Sequence, residues 1–248
     1  MTDNRDNWFE EWFNHIYLKV YAHRDDKLAE TEVDFLIEVL EPDKQDRILD
    51  LCCGAGRHLK RLDALGYRHA VGMDLSEDLL RKAQTLLPGR VGLIRGDMRS
   101  LPFNSPFKVV VSLFTSFGYF SDEEENMKVL REIRRVLARG GKFLLDLVPL
   151  ASVDRLVARS EKEVEGLLIV EKRRFDAARR RIEKEIEIEM ADGKRTFFES
   201  VRVYSFGETR KMLAEAGLCL TEVCGDFGGG VFQPDSERMI LIGKTTEV

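Results

Sequence analysis

Residues 47–58 read Arg-Ile-Leu-Asp-Leu-Cys-Cys-Gly-Ala-Gly-Arg-His, a short apolar run that passes through a glycine-rich turn straight into an amphipathic helix. Strand, tight turn and helix in that order form the first half of a βαβ unit, and they place the start of the helix over the end of the strand. Gly54 and Gly56 carry no Cβ, so the backbone can turn sharply while the amides that open the helix point at a ligand. A dinucleotide-binding turn would read Gly-x-Gly-x-x-Gly, but Leu59 stands at the third glycine position. A pyrophosphate ligand is therefore disfavoured and another nucleotide is expected.

Downstream, strand and helix patterns alternate: strand 48–52, helix 57–65, strand 69–73, helix 77–87, strands 91–95 and 107–113, helix 122–138 and strand 141–147. Such alternation predicts a parallel sheet with right-handed crossovers, whose ligands bind outside the carboxyl ends of the strands. Asp74 ends the second strand, at the distance past the glycines where a carboxylate meets a ribose. Asp97-Met98 ends the third, where an acid meets an adenine amino group and a thioether packs on the ring. Three strand ends thus converge on one adenosine.

Taken with Leu137-Ala-Arg-Gly-Gly-Lys-Phe-Leu-Leu-Asp146, these motifs resemble the class I S-adenosylmethionine-dependent methyltransferases, from about Ile48 to Leu147 and more loosely to the C-terminus. The resemblance implies an α/β, Rossmann-like, seven-stranded and mostly parallel sheet with helices on both faces. It implies S-adenosylmethionine as cofactor, with Asp50 orienting its ammonium directly or through water. Cys52, Gly54, Gly56, Arg57, Leu75 and Leu113 join Asp74, Asp97 and Met98 in the expected cofactor set. One departure stands out: Cys52 occupies a position where that family usually has glycine.

With 248 residues, one α/β domain with an insertion fits better than two independent domains. Thirty-nine basic against 44 acidic residues, a net charge of −5, argue against a large nucleic-acid surface and favour a small-molecule partner. The polar stretch 1–7 lacks a signal-peptide core, and no run approaches the roughly 20 apolar residues of a spanning helix, so a cytoplasmic protein is expected. Cys52-Cys53 and the distant Cys219 and Cys224 suggest neither a disulfide framework nor a metal site, and the first two read as small residues buried at a strand end.

Trp8, Phe9, Trp12, Phe13, Ile16, Tyr17, Val20 and Tyr21 form two adjacent rows on one broad helical face. The resemblance makes residues 1–40 a lid over the cofactor cleft, with Tyr17 and Tyr21 in the substrate pocket; the plain alternative is a helix packed on the domain. Residues 41–150 and 206–248 are expected to form the methyltransferase domain. Between them, 151–205 reads as an antiparallel insertion with strands at Leu167–Phe175, Ile182–Met190 and Arg195–Tyr204, the last two joined by an Asp192-Gly193 hairpin signal. Ile182, Ile186, Ile188 and Met190 share one face of this ribbon and four glutamates share the other. A helix Glu208–Ala216, stopped by Gly217, and strands Leu218–Val223 and Arg238–Lys244 complete the main sheet. The basic clusters 172–174 and 179–181 lie among enough acids to read as a solvated strand surface rather than an RNA grip.

Methyl transfer needs alignment and exclusion of water more than a fixed catalytic group, so the acceptor is less legible than the cofactor. Leu113 to Phe120 should face the methyl group, and Thr115, Phe117 and Tyr119 are candidates for lining the acceptor pocket; Phe117 fits the core equally well. No Pro-Pro-Tyr or Pro-Pro-Phe turn occurs here, which disfavours exocyclic adenine or glutamine nitrogen, and no nucleophilic cysteine for cytosine C5 is present. His58 and Tyr119 are the weak candidates for a general base; His15 and His23 lie on or just past the lid, and His69 should begin a buried strand. The loop 227–238 either borders the acceptor pocket or is a plain connection. The expected activity is methyl transfer to nitrogen or oxygen of a small molecule by in-line displacement. Alternatives are an RNA or protein methyltransferase and a non-catalytic S-adenosylmethionine-binding protein. Oligomeric state stays open.

Overall fold

The computed structural model describes residues 7–21, 26–190 and 193–246. His23, the Ala191-Asp192 part of the hairpin signal and most of the polar stretch 1–7 lie outside the described residues. The N-terminal part holds α1 (Trp8–Trp12), α2 (His15–Val20) and α3 (Asp26–Leu40). Then follow β1 (Ile48–Leu51), α4 (Arg57–Ala64), β2 (Ala70–Asp74), α5 (Glu77–Leu86), β3 (Gly92–Arg95), β4 (Phe107–Ser112), α6 (Glu123–Val136) and β5 (Leu137–Leu147). A 3-10 turn, Leu150–Arg155, leads to β6 (Arg159–Val164), β7 (Leu167–Asp176), β8 (Arg181–Met190) and β9 (Gly193–Arg202). The chain closes with α7 (Phe206–Glu215), β10 (Leu218–Cys224) and β11 (Met239–Thr245).

The main sheet has seven strands in the order β10-β11-β5-β4-β1-β2-β3, parallel except for β11 and β10. Because β1 pairs with β2 on one side and β4 on the other, the strand order reverses there, and the crevice for a ligand opens beyond its carboxyl end. One face is covered by apolar side chains of α3, α4 and α5, the other by those of α6 and α7. This is the expected Rossmann-like α/β fold with helices on both faces.

The insertion forms a separate antiparallel sheet in the order β6-β7-β8-β9. Its first strand was not anticipated, because Arg-Ser-Glu-Lys-Glu-Val has no apolar alternation; an edge strand that is charged and half-exposed leaves no such pattern. On one face Ile169, Ile186 and Ile188 are fully buried. The N-terminal apolar face is not one helix but two. Asn14 takes an extended backbone, and its side chain accepts from the amides of Ile16 (2.7 Å) and Tyr17 (3.4 Å), capping α2 and ending α1. His69, expected in a buried strand, is exposed one residue before β2.

Candidate functional site

The turn after β1 contains three left-handed residues: Cys52 (φ 63°), Gly54 (φ 54°) and Gly56 (φ 78°). Cys52 therefore adopts, with a side chain, a conformation that favours glycine. Gly56 caps α4, and a Cβ there would stand 2.9 Å from Leu87 and 3.1 Å from Ala83, so α4 could not pack as closely on α5. Asp74, nearly buried at the end of β2, accepts from the amides of Gly54 and Ser76, both at 2.8 Å, which ties the turn to the second strand and leaves each oxygen further acceptor capacity. Burial raises its pKa, against the pull of those amides. Ser76 caps α5 by accepting from Leu79.

Asp50 is 1% exposed, and its Oδ2 has no hydrogen-bond partner among the described residues. Burial pushes its carboxyl up to about 6, opposed by His58 and Arg57. His58 lies behind it: Nδ1 is 3.8 Å from Asp50 Oδ2, while Nε2 donates to Glu32 Oε2 at 2.7 Å. Arg57 pairs with the same Glu32 oxygen at 2.8 Å and covers the ring of Phe114. Burial works against the Glu32 charge, yet His58 and Arg57 outweigh it and hold the carboxyl below its usual range. Glu32 was not singled out in the sequence. The signal was present: an acid at a buried position between Ala29 and Leu36 of α3 is anomalous unless paired.

A cavity of about 600 Å³ opens at these strand ends. Of the expected cofactor residues, Cys52, Gly54, Arg57, Asp74, Leu75, Asp97, Met98 and Leu113 line it; Asp50, in β1, and Gly56, at the start of α4, do not. Met98 Sδ accepts from the Cys52 thiol at 3.7 Å. Asp97 is clasped by Arg99 (Nη2–Oδ2 2.6 Å), which overcomes burial and lowers its pKa. Arg99 in turn pairs with Glu125 at 2.9 Å.

The roof of the cavity is aromatic. Phe9, Phe13, Tyr17 and Tyr21 of the N-terminal segment line it, facing Tyr119 and Phe120. Tyr119 contacts Trp8 (centroids 4.9 Å) and Phe13 (5.8 Å). The opposite side of α1 rests on the insertion: Trp12 packs on Phe197 (4.7 Å), and its Nε1 donates to Glu199 at 2.6 Å. Tyr21 donates to the same carboxylate at 2.9 Å, and Lys184 pairs with it at 2.6 Å. On the side of Asp74, Ser76 Oγ donates to the Phe13 carbonyl, and the His15 amide donates to Asp78 at 3.1 Å. The helices are thus carried on the four-stranded sheet and hydrogen-bonded to the segment that follows Asp74.

Tyr119, Tyr17 and Tyr21 reach the cavity; Thr115 and Phe117 do not line it. Phe114 and Thr115 are both left-handed (φ 66° and 59°), which sends Phe114 to the cavity and turns Thr115 to Arg238, whose Nη2 donates to Oγ1 at 3.0 Å. Arg238 also pairs with buried Asp146, which accepts from the Phe114 amide at 2.8 Å. Phe117 packs on Tyr204 in the core. Burial pushes the Tyr119 phenol well above its ordinary pKa. Loop 227–238 does not line the cavity; Phe227 packs on Phe35 of α3. Within the basic clusters Lys172 pairs with Glu185 and Glu187, Arg173 with Glu171, Arg174 with Glu183, Arg179 distantly with Asp176, and Arg180 with Glu208. No described helix is long and apolar enough to cross a membrane.

Residues 48–141 match the family model for a methyltransferase domain. The chain is 29% identical over 202 residues to a cypemycin N-terminal methyltransferase from Streptomyces, covering 79% of this chain and 81% of that protein. It is 34% identical over 99 residues to dTDP-3-amino-3,4,6-trideoxy-alpha-D-glucopyranose N,N-dimethyltransferase of Streptomyces venezuelae, covering 40% of this chain and 41% of that enzyme. An S-adenosylmethionine-dependent methyltransferase from Clostridium acetobutylicum superposes with a TM-score of 0.78 at 22% identity, over 93% of this chain and 96% of that one. Residues 48–141 are thus a methyltransferase domain, and the chain, with the fold of S-adenosylmethionine-dependent methyltransferases, is an enzyme that uses that cofactor.

Proposed function

We propose that this enzyme methylates an amine nitrogen of a small molecule, in line with the sulfur–methyl bond. The observation that carries the reading is the roofed aromatic cavity, in which the candidate bases among the described residues are engaged by a charged partner, His15 by Asp78 included, or held protonated. A hydroxyl acceptor needs a general base, whereas an amine in its neutral form is already nucleophilic. Tyr119 is pushed away from phenolate, His58 is engaged by Glu32, and Asp97 by Arg99. The relatives named above act, by their names, on a peptide amino terminus and on an amino sugar, both amines.

The residues fit the cofactor. The Oδ2 of Asp50, without a hydrogen-bond partner among the described residues, is a buried acceptor that an ammonium would satisfy, and Arg57, which lines the cavity, would receive the carboxylate. Asp74 offers acceptors to the two ribose hydroxyls, and Met98 and Leu75 offer apolar contact to adenine beside Asp97. The cofactor, when bound, supplies a methyl group already activated on a sulfonium. The chain holds the acceptor: Phe13, Tyr17 and Tyr119 exclude water and present π faces to a nitrogen that gains positive charge as it is methylated. Residues 1–40 act as the lid, 41–150 with 206–248 as the catalytic domain, and 151–205 as its platform.

The test is a transfer screen with labelled cofactor across paired amines and their hydroxyl analogues. Labelled amine products, with a rate that rises as the free amine is unmasked by pH, are expected; labelling of the alcohols alone refutes the nitrogen reading.

A further inference from the structure

Beyond Tyr119 lies a second cavity, of about 950 Å³, between the four-stranded sheet and residues 119–123. Tyr119 borders both cavities. Tyr21, in the first, donates to Glu199, which lines the second. The partition is one side chain thick at Tyr119 and a hydrogen-bonded pair of side chains thick at Tyr21 and Glu199.

Seven cationic and five anionic side chains line the second cavity, an excess of positive charge in a chain whose net charge is −5. Arg181 makes that excess unusual. It is 6% exposed, and its guanidinium donates to the carbonyls of Gly118 (3.3 Å), Tyr119 (2.8 Å), Phe120 (2.9 Å) and Ser200 (2.6 Å) and to Ser200 Oγ (2.8 Å). All of these partners are neutral. Among the described residues Glu123 and Glu183 reach it only through longer-range attraction, and burial pulls its pKa down. Hydrogen bonds to neutral oxygens solvate a guanidinium without cancelling its charge, and a buried cation lacking a counter-ion costs several kcal/mol. At the mouth, Arg179 and Arg174 are 73% and 67% exposed, and their carboxylate partners are weak competitors for an incoming anion.

We propose that this cavity binds an anionic group, phosphate or carboxylate, at the far end of the methyl acceptor, whose amine reaches past Tyr119 to the methyl site. The inference rests on the amine reading above and adds that the acceptor is an extended molecule bearing both charges. Arg181 supplies the positive field from within the wall, and by clasping residues 118–120 it also fixes the segment that carries Tyr119. Lys172, Arg174 and Arg179 gather the anion.

The test uses the full chain saturated with S-adenosylhomocysteine and titrated calorimetrically, at constant ionic strength, with pyrophosphate and separately with citrate. One site per chain is expected, bound at least tenfold more weakly by the triple variant Lys172→Ala, Arg174→Ala, Arg179→Ala; the tighter of the two probes identifies phosphate or carboxylate. Arg181 is left intact because its loss would disturb the fold. No binding to the unaltered protein, or equal binding by the variant, overturns the proposal. A second arm compares 5-aminopentyl phosphate with 5-aminopentanol as acceptors. A KM at least tenfold lower for the phosphate, lost in the variant, supports the subsite; equal KM values refute it and leave the amine reading standing. Site-specific pyrophosphate binding without methylation of any amine would sink the amine reading instead.

Discussion

Replacing Asp50 by Asn should stabilise the ligand-free protein while destroying its affinity for cofactor. The carboxyl is raised from 3.8 to about 6, chiefly by burial. For an acid raised in this way, the native state binds the proton more tightly than the unfolded chain between those two values. Stability therefore falls as pH rises from about 3.8 to about 6, and the full cost persists above. At 1.36 kcal/mol per pKa unit, ionised Asp50 costs about 3 kcal/mol at pH 7.5. Asn is isosteric and carries no charge, so Asp50→Asn should recover up to about 3 kcal/mol, less what its own amide loses by burial. For a chain of this size that is a rise in Tm of roughly 5–10 °C. Denaturant unfolding at pH 4 to 8 without cofactor measures it: the difference between variant and unaltered protein should grow between pH 4 and 6.5 and stay flat above. S-adenosylhomocysteine, which should raise the Tm of the unaltered protein, should leave the variant nearly unmoved, because the ammonium loses a charged partner. A variant that is no more stable at pH 7.5, or a difference that ignores pH, refutes the assignment of Asp50 as a buried charge held ready for a cation.

At Cys52, φ 63° admits Gly but not a β-branched residue, so Cys52→Val should cost about 1–3 kcal/mol in equilibrium unfolding and abolish S-adenosylhomocysteine binding, whereas Cys52→Gly keeps it. Gly56→Ala combines a positive φ with a 2.9 Å approach to Leu87, and a loss of about 2 kcal/mol is expected; an unchanged midpoint would mean that α4 and α5 are not held by this contact. Tyr119→Phe removes only a hydroxyl that stays protonated, so kcat should remain within about twofold, and a hundredfold loss would make Tyr119 a base after all. Glu199→Ala removes the acceptor shared by Trp12 and Tyr21 while Lys184 keeps the Tyr21 hydroxyl, so chymotrypsin should cut near Trp12 faster while the domain's unfolding midpoint moves little.

The contrast between the proposed cofactor site and the proposed acceptor site follows from how each is encoded. Asp50, Gly54, Asp74 and Asp97 are set by local geometry, each within a few residues of a strand end, so alternation of strand and helix was enough to bring them to one crevice. Asp97 shows the limit of that reasoning: its strand end was legible, but its clasp by Arg99 depends on rotamers no pattern records. Acceptor residues depend on contacts between distant parts of the chain. Phe13 and Tyr17 face the cavity because Trp12, on the other side of the same segment, docks on Phe197, 185 positions away by the numbering, and bonds to Glu199. Thr115 and Phe117 had the expected chemistry and lay in the expected segment. Two successive left-handed residues, Phe114 and Thr115, reset which side chains point inward, and no feature of Leu113-Phe-Thr-Ser-Phe announces that twist. Its cause lies at Asp146 and Arg238, which hold the Phe114 amide and the Thr115 hydroxyl from strands β5 and the approach to β11. A methyltransferase of this design can change its acceptor by altering such remote supports while the strand ends that carry Asp50, Gly54 and Asp74 keep their places, the Ser76 hydroxyl on the Phe13 carbonyl being one link between the two sets.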